Sequence, residues 1–157
     1  MTRRKPSTSP SAPPSASPAS APTPVELMDQ LAQAAALYYR NFAAVAAERD
    51  LTLMQGKVLG LLRRPMPMRT LADLLACDAS NVTGIVDRLE ARGLVRREAN
   101  PADRRIKRVA LTEEGEETVR RIRADLMLGL TGLESLGEED RRSFQRLLGQ
   151  VFPAVAA

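Results

Sequence analysis

The spacing of apolar residues predicts two short helices, separated by a tight turn, between residues 70 and 92. The first helix has one apolar face, formed by Leu71, Leu74 and Leu75. The polar segment 77–80 then interrupts the pattern, because Asp and Ser favour caps and turns over helix interiors. The second helix repeats apolar residues at the i, i+3, i+4, i+7 spacing of a single buried stripe. This stripe consists of Val82, Ile85, Val86 and Leu89.

Capping residues predict where these two helices begin and end. We expect Thr70 to cap the first helix, and either Asp78 or Ser80 to cap the second. Gly93 supplies the left-handed residue that often follows a helix C-terminus, and Leu94 can then pack back on the helix.

A β-hairpin is predicted directly after the second helix. Residues 94–97 and 108–111 form its strands, and the segment 98–105 between them contains Asn-Pro and Asp, which are turn residues. Residues 66–69 can pair briefly as a third strand. We expect Asp103 to orient an arginine of the tip through a charge-assisted hydrogen bond. The order helix, turn, helix and hairpin is that of a winged helix-turn-helix, which presents a helix to the major groove of DNA.

Helices are also predicted on both sides of this unit. The first begins at Pro24, with Thr23 as its cap, and runs to about residue 48. The next begins with the capping-box pair Thr52 and Gln55 and ends before Pro65 and Pro67. Two more follow, one starting at Thr112 and one spanning about residues 138–152. The predicted fold class is therefore mainly α with a small β-wing, in which terminal helices flank the winged helix.

The terminal helices, about 25–48 and 112–152, carry apolar faces that a compact winged helix does not need for its own core. Self-association would cover these faces, and two-fold pairing is the commonest form. The alternative is that the faces pack only within one chain. Tyr38 is expected in the core and Tyr39 partly exposed, and either could contact a ligand.

The polar face of the second helix is the candidate DNA-reading surface. Ser80, Asn81 and Thr83 are short enough for base-edge contacts, and Gly84 leaves room for close approach. Arg88, one turn further on, would reach bases or phosphate. At the hairpin tip, Arg104 suits a narrow minor groove. The remaining cations are phosphate candidates or solvated charges; they are Arg69, Arg96, Arg105 and Lys107.

Composition and charge narrow the function. The chain has no His and a single Cys, which excludes His/Cys metal clusters, catalytic triads and intrachain disulfides. No phosphate-binding glycine loop is present either, so we expect no enzyme, metal or cofactor. Residues 63–111 carry a net charge of +5, whereas residues 112–157 carry −3. One basic surface within a near-neutral protein is typical of a chain that binds nucleic acid.

These motifs resemble those of the MarR-type transcriptional regulators. The resemblance covers about residues 27–152 and is strongest over 70–115. It rests on Leu51-Thr52 with Gln55, Val82, Asp87-Arg88-Leu89-Glu90, Arg92-Gly93-Leu94-Val95, Asp103-Arg104-Arg105, and Leu111-Thr112-Glu113 with Gly115. It implies a homodimer formed by the terminal helices, which binds double-stranded DNA, usually as a repressor, and releases it when a small ligand or oxidant acts. The ligand pocket would lie between the dimerisation helices and the wing.

The domain organisation follows from these patterns. Residues 1–24 contain seven of the eleven prolines and no periodicity, so we expect a disordered tail. It is either passive or adds weak DNA attraction through Arg3, Arg4 and Lys5. Residues 25–153 would form one domain, with its DNA-reading part at about 51–111. No membrane span or signal peptide is predicted, which indicates a cytoplasmic protein.

Two alternatives stay open. Cys77 could be a redox sensor, but a free Cys near the end of a helix more often serves as a small hydrophobic residue. The winged helix could also be a protein-contact module, because fold alone does not fix function.

Overall fold

In the computed structural model, residues 20–101, 103 and 105–153 are described. Within these ranges the protein has seven helices and three strands, which confirms a mainly α protein with a small β-wing. In chain order they are α1 (Pro24–Ala47), α2 (Leu53–Leu61), β1 (Met66–Pro67), α3 (Met68–Leu75), α4 (Ala79–Ala91), β2 (Val95–Ala99), β3 (Lys107–Leu111), α5 (Glu113–Leu128), α6 (Thr131–Glu134) and α7 (Glu138–Val151). Most of the predicted tail, residues 1–19, lies outside the described residues.

The chain divides into two units, residues 1–34 and residues 35–157. In the first unit, Thr23 caps α1 as expected. The main-chain N–H of Thr23 donates to Glu26 at 2.7 Å, and the N–H of Glu26 donates to the Thr23 hydroxyl at 3.3 Å. The Thr23 hydroxyl also donates to the Glu26 carboxylate, at 2.9 Å. The main-chain bond first, and then this hydroxyl bond, lower the pKa of Glu26.

The second unit contains the winged helix, and the predicted capping box at the start of α2 is present. The Thr52 N–H donates to the Gln55 side chain at 2.8 Å, and the Gln55 N–H donates to the Thr52 hydroxyl at 3.2 Å. Together the two bonds satisfy donors that a helix N-terminus otherwise leaves free. Gln55 is buried, and the bond from the Thr52 N–H gives its amide oxygen a partner.

The predicted cap of α3 is wrong. The helix begins at Met68, two residues before Thr70, and Pro67 occupies the cap position without a side-chain hydrogen bond. Met68 packs against the core, and this contact starts the helix as soon as the β1 pairing ends. At α4, Asp78 occupies the cap position but makes no side-chain cap bond, and Ser80 lies inside the helix.

The end of α4 follows the prediction. Gly93 has a φ of +71°, and its N–H donates to the Glu90 carbonyl at 2.9 Å. The Leu94 N–H donates to the Leu89 carbonyl at 3.0 Å, which completes a Schellman motif. Leu94 is buried beneath this turn, so the chain enters the wing in a fixed direction.

The wing is a three-stranded antiparallel sheet with the order β1-β3-β2. Pairs run from Val95 opposite Leu111 to Ala99 opposite Lys107. Both hairpin strands reach further toward the tip than predicted, because Glu98 faces Arg108 across the sheet and forms an ion pair with it. The third strand is shorter than the predicted 66–69, since only Met66 and Pro67 pair with β3.

The C-terminal helices differ in part from the sequence prediction. The short helix α6 was not predicted.

The expected burial of Tyr38, on α1, is wrong, because its side chain borders an open cavity and is 38% exposed.

Gly115 allows α5 to approach the junction between α4 and β2. A Cβ atom built at Gly115 would lie 2.0 Å from the Leu94 carbonyl oxygen. The same carbonyl accepts the Thr112 N–H at 3.1 Å, and the Thr112 hydroxyl caps α5 by accepting the Gly115 N–H at 3.0 Å. The absent side chain therefore permits the contact that fixes α5 against the wing.

We expect Gly115→Ala to lower the free energy of unfolding by about 1–3 kcal/mol, because backbone atoms must shift to admit the methyl group. Gly60→Ala is the matched control, since a Cβ atom there would meet nothing within 4 Å. That variant should be unchanged or more stable by up to about 1 kcal/mol, because Ala favours helix over Gly. Urea unfolding measures both. Equal stability of the two variants would contradict this role for Gly115.

Candidate nucleic-acid interface

Helix α4 separates a buried face from an exposed polar face. The predicted stripe is confirmed, since Val82, Val86 and Leu89 are fully buried and Ile85 nearly so. The opposite face exposes Ser80, Asn81, Thr83 and Arg88. Because the stripe fixes the rotation of the helix, it also fixes the outward direction of these polar side chains.

Thr83 and Gly84 also lie on α4, and their surroundings are described by a hydrogen bond and by the free space around them. The Thr83 hydroxyl donates to the Ala79 carbonyl at 2.8 Å, so its oxygen remains able to accept a hydrogen bond from outside. A Cβ atom at Gly84 would meet nothing within 4 Å. Packing inside the protein therefore does not require glycine at this position.

Asp103, at the tip of the wing, accepts two main-chain hydrogen bonds. The Asp103 carboxylate accepts the main-chain N–H of Arg105 at 3.0 Å, so the described bond of this carboxylate shapes the backbone and does not orient the Arg105 guanidinium. The Ile106 N–H donates to the Asp103 carbonyl at 3.0 Å. Arg105 and Lys107 are exposed. Arg104 lies outside the described residues.

The outer face of the hairpin carries a small charge network. Glu98 lies between Arg96 and Arg108 and pairs with both, at 3.5 Å and 2.8 Å. Arg96 also donates to the Leu111 carbonyl. Arg69, the other predicted cation, is exposed on α3.

Arg97 is an important residue that sequence reasoning missed. It is partly buried and forms ion pairs with Asp87 and Glu90 of α4, and its main-chain N–H donates to Glu90 at 3.0 Å. Burial lowers the pKa of Arg97, but the hydrogen bonds to Asp87 and Glu90 outweigh it, so the net shift is upward. The alternation of residues along the strand could have indicated this pairing. Arg97 shares the inward face of β2 with Val95, and a charge on that face requires a partner.

A second site lies between α1, α2 and α5. It is a cavity of about 310 Å³. Its apolar wall is formed by Tyr38, Tyr39, Phe42, Leu61, Leu74, Val119, Ile122 and Leu126. The two tyrosine rings meet edge to face with centroids 5.4 Å apart, and the Lys57 ammonium lies 5.0 Å from the Tyr39 ring centroid. Burial, and then the neighbouring Tyr39, raise the pKa of Tyr38 against the opposing effect of Arg123.

The charged residues that line this cavity are all cationic. They are Lys57, Arg63 and Arg123, and the described lining contains neither Asp nor Glu. Aromatic rings beside cations form a surface that suits an apolar or aromatic group bearing negative charge. Sequence reasoning missed this cluster because Arg123 of α5 is far along the chain from Lys57 of α2 and from Arg63, which follows that helix.

Cys77 is partly buried against the core, and its thiol donates to the Leu75 carbonyl at 3.3 Å.

Over the described ranges, no helix is long and apolar enough to cross a membrane, and no group of three His, Cys, Asp or Glu residues could hold a metal ion.

The helix-turn-helix of α3 and α4 packs on the core through its apolar residues, and the hairpin of β2 and β3 follows it. This arrangement defines the winged helix-turn-helix class of protein. Residues 51–107 match the family model described as MarR family. The HTH-type transcriptional repressor NicR of Pseudomonas putida is 35% identical over 99 residues, which are 59% of this chain and 63% of NicR. The chain thus spans less than two thirds of the length of this curated relative.

Solved structures agree with this class. RV1404 from Mycobacterium tuberculosis is 29% identical with a TM-score of 0.64, over 87% of this chain and 98% of that protein. CouR from Rhodococcus jostii RHA1, bound to p-coumaroyl-CoA, is 26% identical with a TM-score of 0.67, over 82% and 93% of the two chains. Residues 51–107, which contain the winged helix, are thus similar to the MarR family.

Proposed function

We propose that the protein is a sequence-specific DNA-binding transcriptional repressor, which binds a pseudo-palindromic operator as a homodimer and responds to a small ligand. The main support is the exposed polar face of α4 beside a cationic wing. On this account residues 51–111 read DNA, and the helices in residues 25–48 and 112–152 form the dimer.

Recognition would begin with α4 in the major groove. Ser80 and Asn81 lie on its first turn, where a recognition helix contacts base edges, and Thr83 offers an acceptor. Gly84 keeps the helix surface low, and Arg88 would reach a base or a phosphate one turn later. Arg104 would enter the minor groove, while Arg105, Lys107 and Arg69 would contact phosphates.

Exposed apolar side chains support dimer formation. Phe144, Leu147 and Val151 are about half exposed or more along one helix, α7. In the first unit, Val25, Leu27 and Met28 are similarly exposed. Apolar clusters of this kind mark interfaces in soluble proteins, and a two-fold dimer would place two copies of α4 in successive major grooves.

We expect the protein to bind DNA from upstream of its own gene, with an affinity that falls as salt rises. Asn81→Ala and Arg104→Ala should each weaken specific binding by about 1–3 kcal/mol. Arg142→Ala removes the same charge from an exposed position of α7 and should leave affinity unchanged. Fluorescence anisotropy across a salt series measures all four proteins. Indifference to both substitutions and to DNA sequence would favour a protein-contact module.

The cavity between α1, α2 and α5 is the proposed effector site. An anionic aromatic compound would stack on Tyr38 or Tyr39 and pair with Lys57, Arg63 or Arg123. Movement of α1 or α5 would then reach α4 through two contacts. Arg49, which follows α1, pairs with Asp125 of α5, and Arg92 at the end of α4 donates to the carbonyls of Arg49 and Asp50 at 2.9 and 2.6 Å.

Benzoate should raise the melting temperature and weaken DNA binding, because the cavity offers cations without carboxylates. Benzamide has nearly the same shape but no charge, and it should act more weakly. Arg123→Gln should remove this preference for the anion, whereas Arg142→Ala should not. Thermal shift assays test the first effect and DNA anisotropy the second. An equal response to the two compounds would contradict an anion-selective cavity.

A redox-sensing regulator is the alternative within the same class. It would require Cys77→Ser to abolish a peroxide response while DNA binding persists. The partly buried thiol, bonded to a main-chain carbonyl, favours a packing role for Cys77 instead.

A further inference from the structure

Arg97 connects the wing to the helix that would read DNA. Its guanidinium reaches from β2 to two carboxylates of α4, one on Asp87 and one on Glu90. A third bond, from the Arg97 N–H to Glu90 at 3.0 Å, ties the main chain of the strand to the same helix. The pairing geometry therefore fixes both the side chain and the strand relative to α4.

The surroundings of its guanidinium distinguish Arg97 from Arg96, the neighbouring residue of the same strand. Its side chain is 27% exposed, compared with 56% for Arg96. Because strand residues alternate, Arg96 and Arg97 lie on opposite faces of β2. Arg97 thus faces the helix, and Arg96 faces outward beside Glu98.

Arg97 compensates the negative charge of the two carboxylates. Asp87 is 58% exposed and lies on the same helix as the proposed base-reading residues. Without a partner, Asp87 and Glu90 would present two negative charges close to a polyanion, which would oppose association. Lys would compensate less well, because a guanidinium can bond two carboxylates at once in a fixed geometry.

We propose that Arg97 is a positioning residue for DNA binding, which sets the angle between α4 and the wing and neutralises Asp87 and Glu90 without itself contacting DNA. This inference rests on the proposed function. It differs from two simpler roles, which are a direct contact between Arg97 and phosphate and a contribution to stability alone.

The salt dependence of DNA affinity separates these roles. The slope of log K against log salt is negative, and its magnitude falls by about 0.9 for each phosphate contact that is lost. A positioning residue should instead lower affinity while leaving the slope almost unchanged, once Asp87→Asn has removed the exposed carboxylate whose repulsion salt would screen. We therefore expect Arg97→Ala to weaken binding by about tenfold or more at every salt concentration.

The matched control is Arg96→Ala, which removes the same charge from the neighbouring residue of the same strand. We expect it to change affinity by less than about threefold. If Arg96 contacts a phosphate, the magnitude of the salt slope should fall as well. The double variant Arg97→Ala/Asp87→Asn should recover part of the lost affinity, because it removes the exposed unpaired carboxylate. A purely structural role would not give this recovery. Arg97→Lys should bind between wild type and Arg97→Ala.

Melting temperatures measured in parallel show that each variant is folded. If Arg97→Ala unfolds, Arg97→Gln keeps the aliphatic stem and takes its place in the same comparison. Wild-type affinity for Arg97→Ala, or a slope whose magnitude falls by about 0.9 in Arg97→Ala/Asp87→Asn, would overturn the positioning role while leaving the proposed function intact. Failure of the wild-type protein to bind any DNA would overturn both.

Discussion

The packing of the apolar stripe of α4 is the interaction on which the rest of this structure depends. Val82, Val86 and Leu89 are fully buried, and removing one such side chain typically costs several kcal/mol. The rotation of the helix is therefore determined by its inner face. The polar outer face is exposed as a consequence, and the Schellman turn at Gly93 then directs the chain into the wing.

A second constraint is the spacing between α4, the wing and α5. Leu94 serves all three, since its side chain is buried beneath the turn and its carbonyl accepts the Thr112 N–H at 3.1 Å. Gly115 makes room for this contact, and Arg97 adds an electrostatic connection from the wing to α4. The elements around the candidate DNA-reading surface are thus fixed by backbone contacts and by charge pairing, in addition to apolar packing.

Periodicity and local chemistry were enough to predict the stripe of α4, the capping box of Thr52 and Gln55, and the left-handed Gly93, because each depends on neighbours within one or two turns. Predictions that depend on tertiary contacts were less successful. Thr70 has the chemistry of a cap, but the packing of Met68 starts the helix earlier. Tyr38 lies on an apolar face, yet that face borders a cavity.

The candidate sites show the same division. The polar face of α4 could be predicted because a single helix carries it, whereas the Arg97 pairs and the three cations of the cavity join separate elements. The exposure of Ser80, Asn81 and Thr83 agrees with their predicted role, and contact with DNA remains a prediction.

The most direct test of this account is to follow the amide NMR signals of the protein while operator DNA is added. We expect the shifts to concentrate on α4 and on the hairpin of β2 and β3, with α7 unaffected except through dimer formation. Shifts concentrated on α7 or spread evenly over the chain, with α4 unchanged, would contradict the claim that the exposed face of α4 reads DNA.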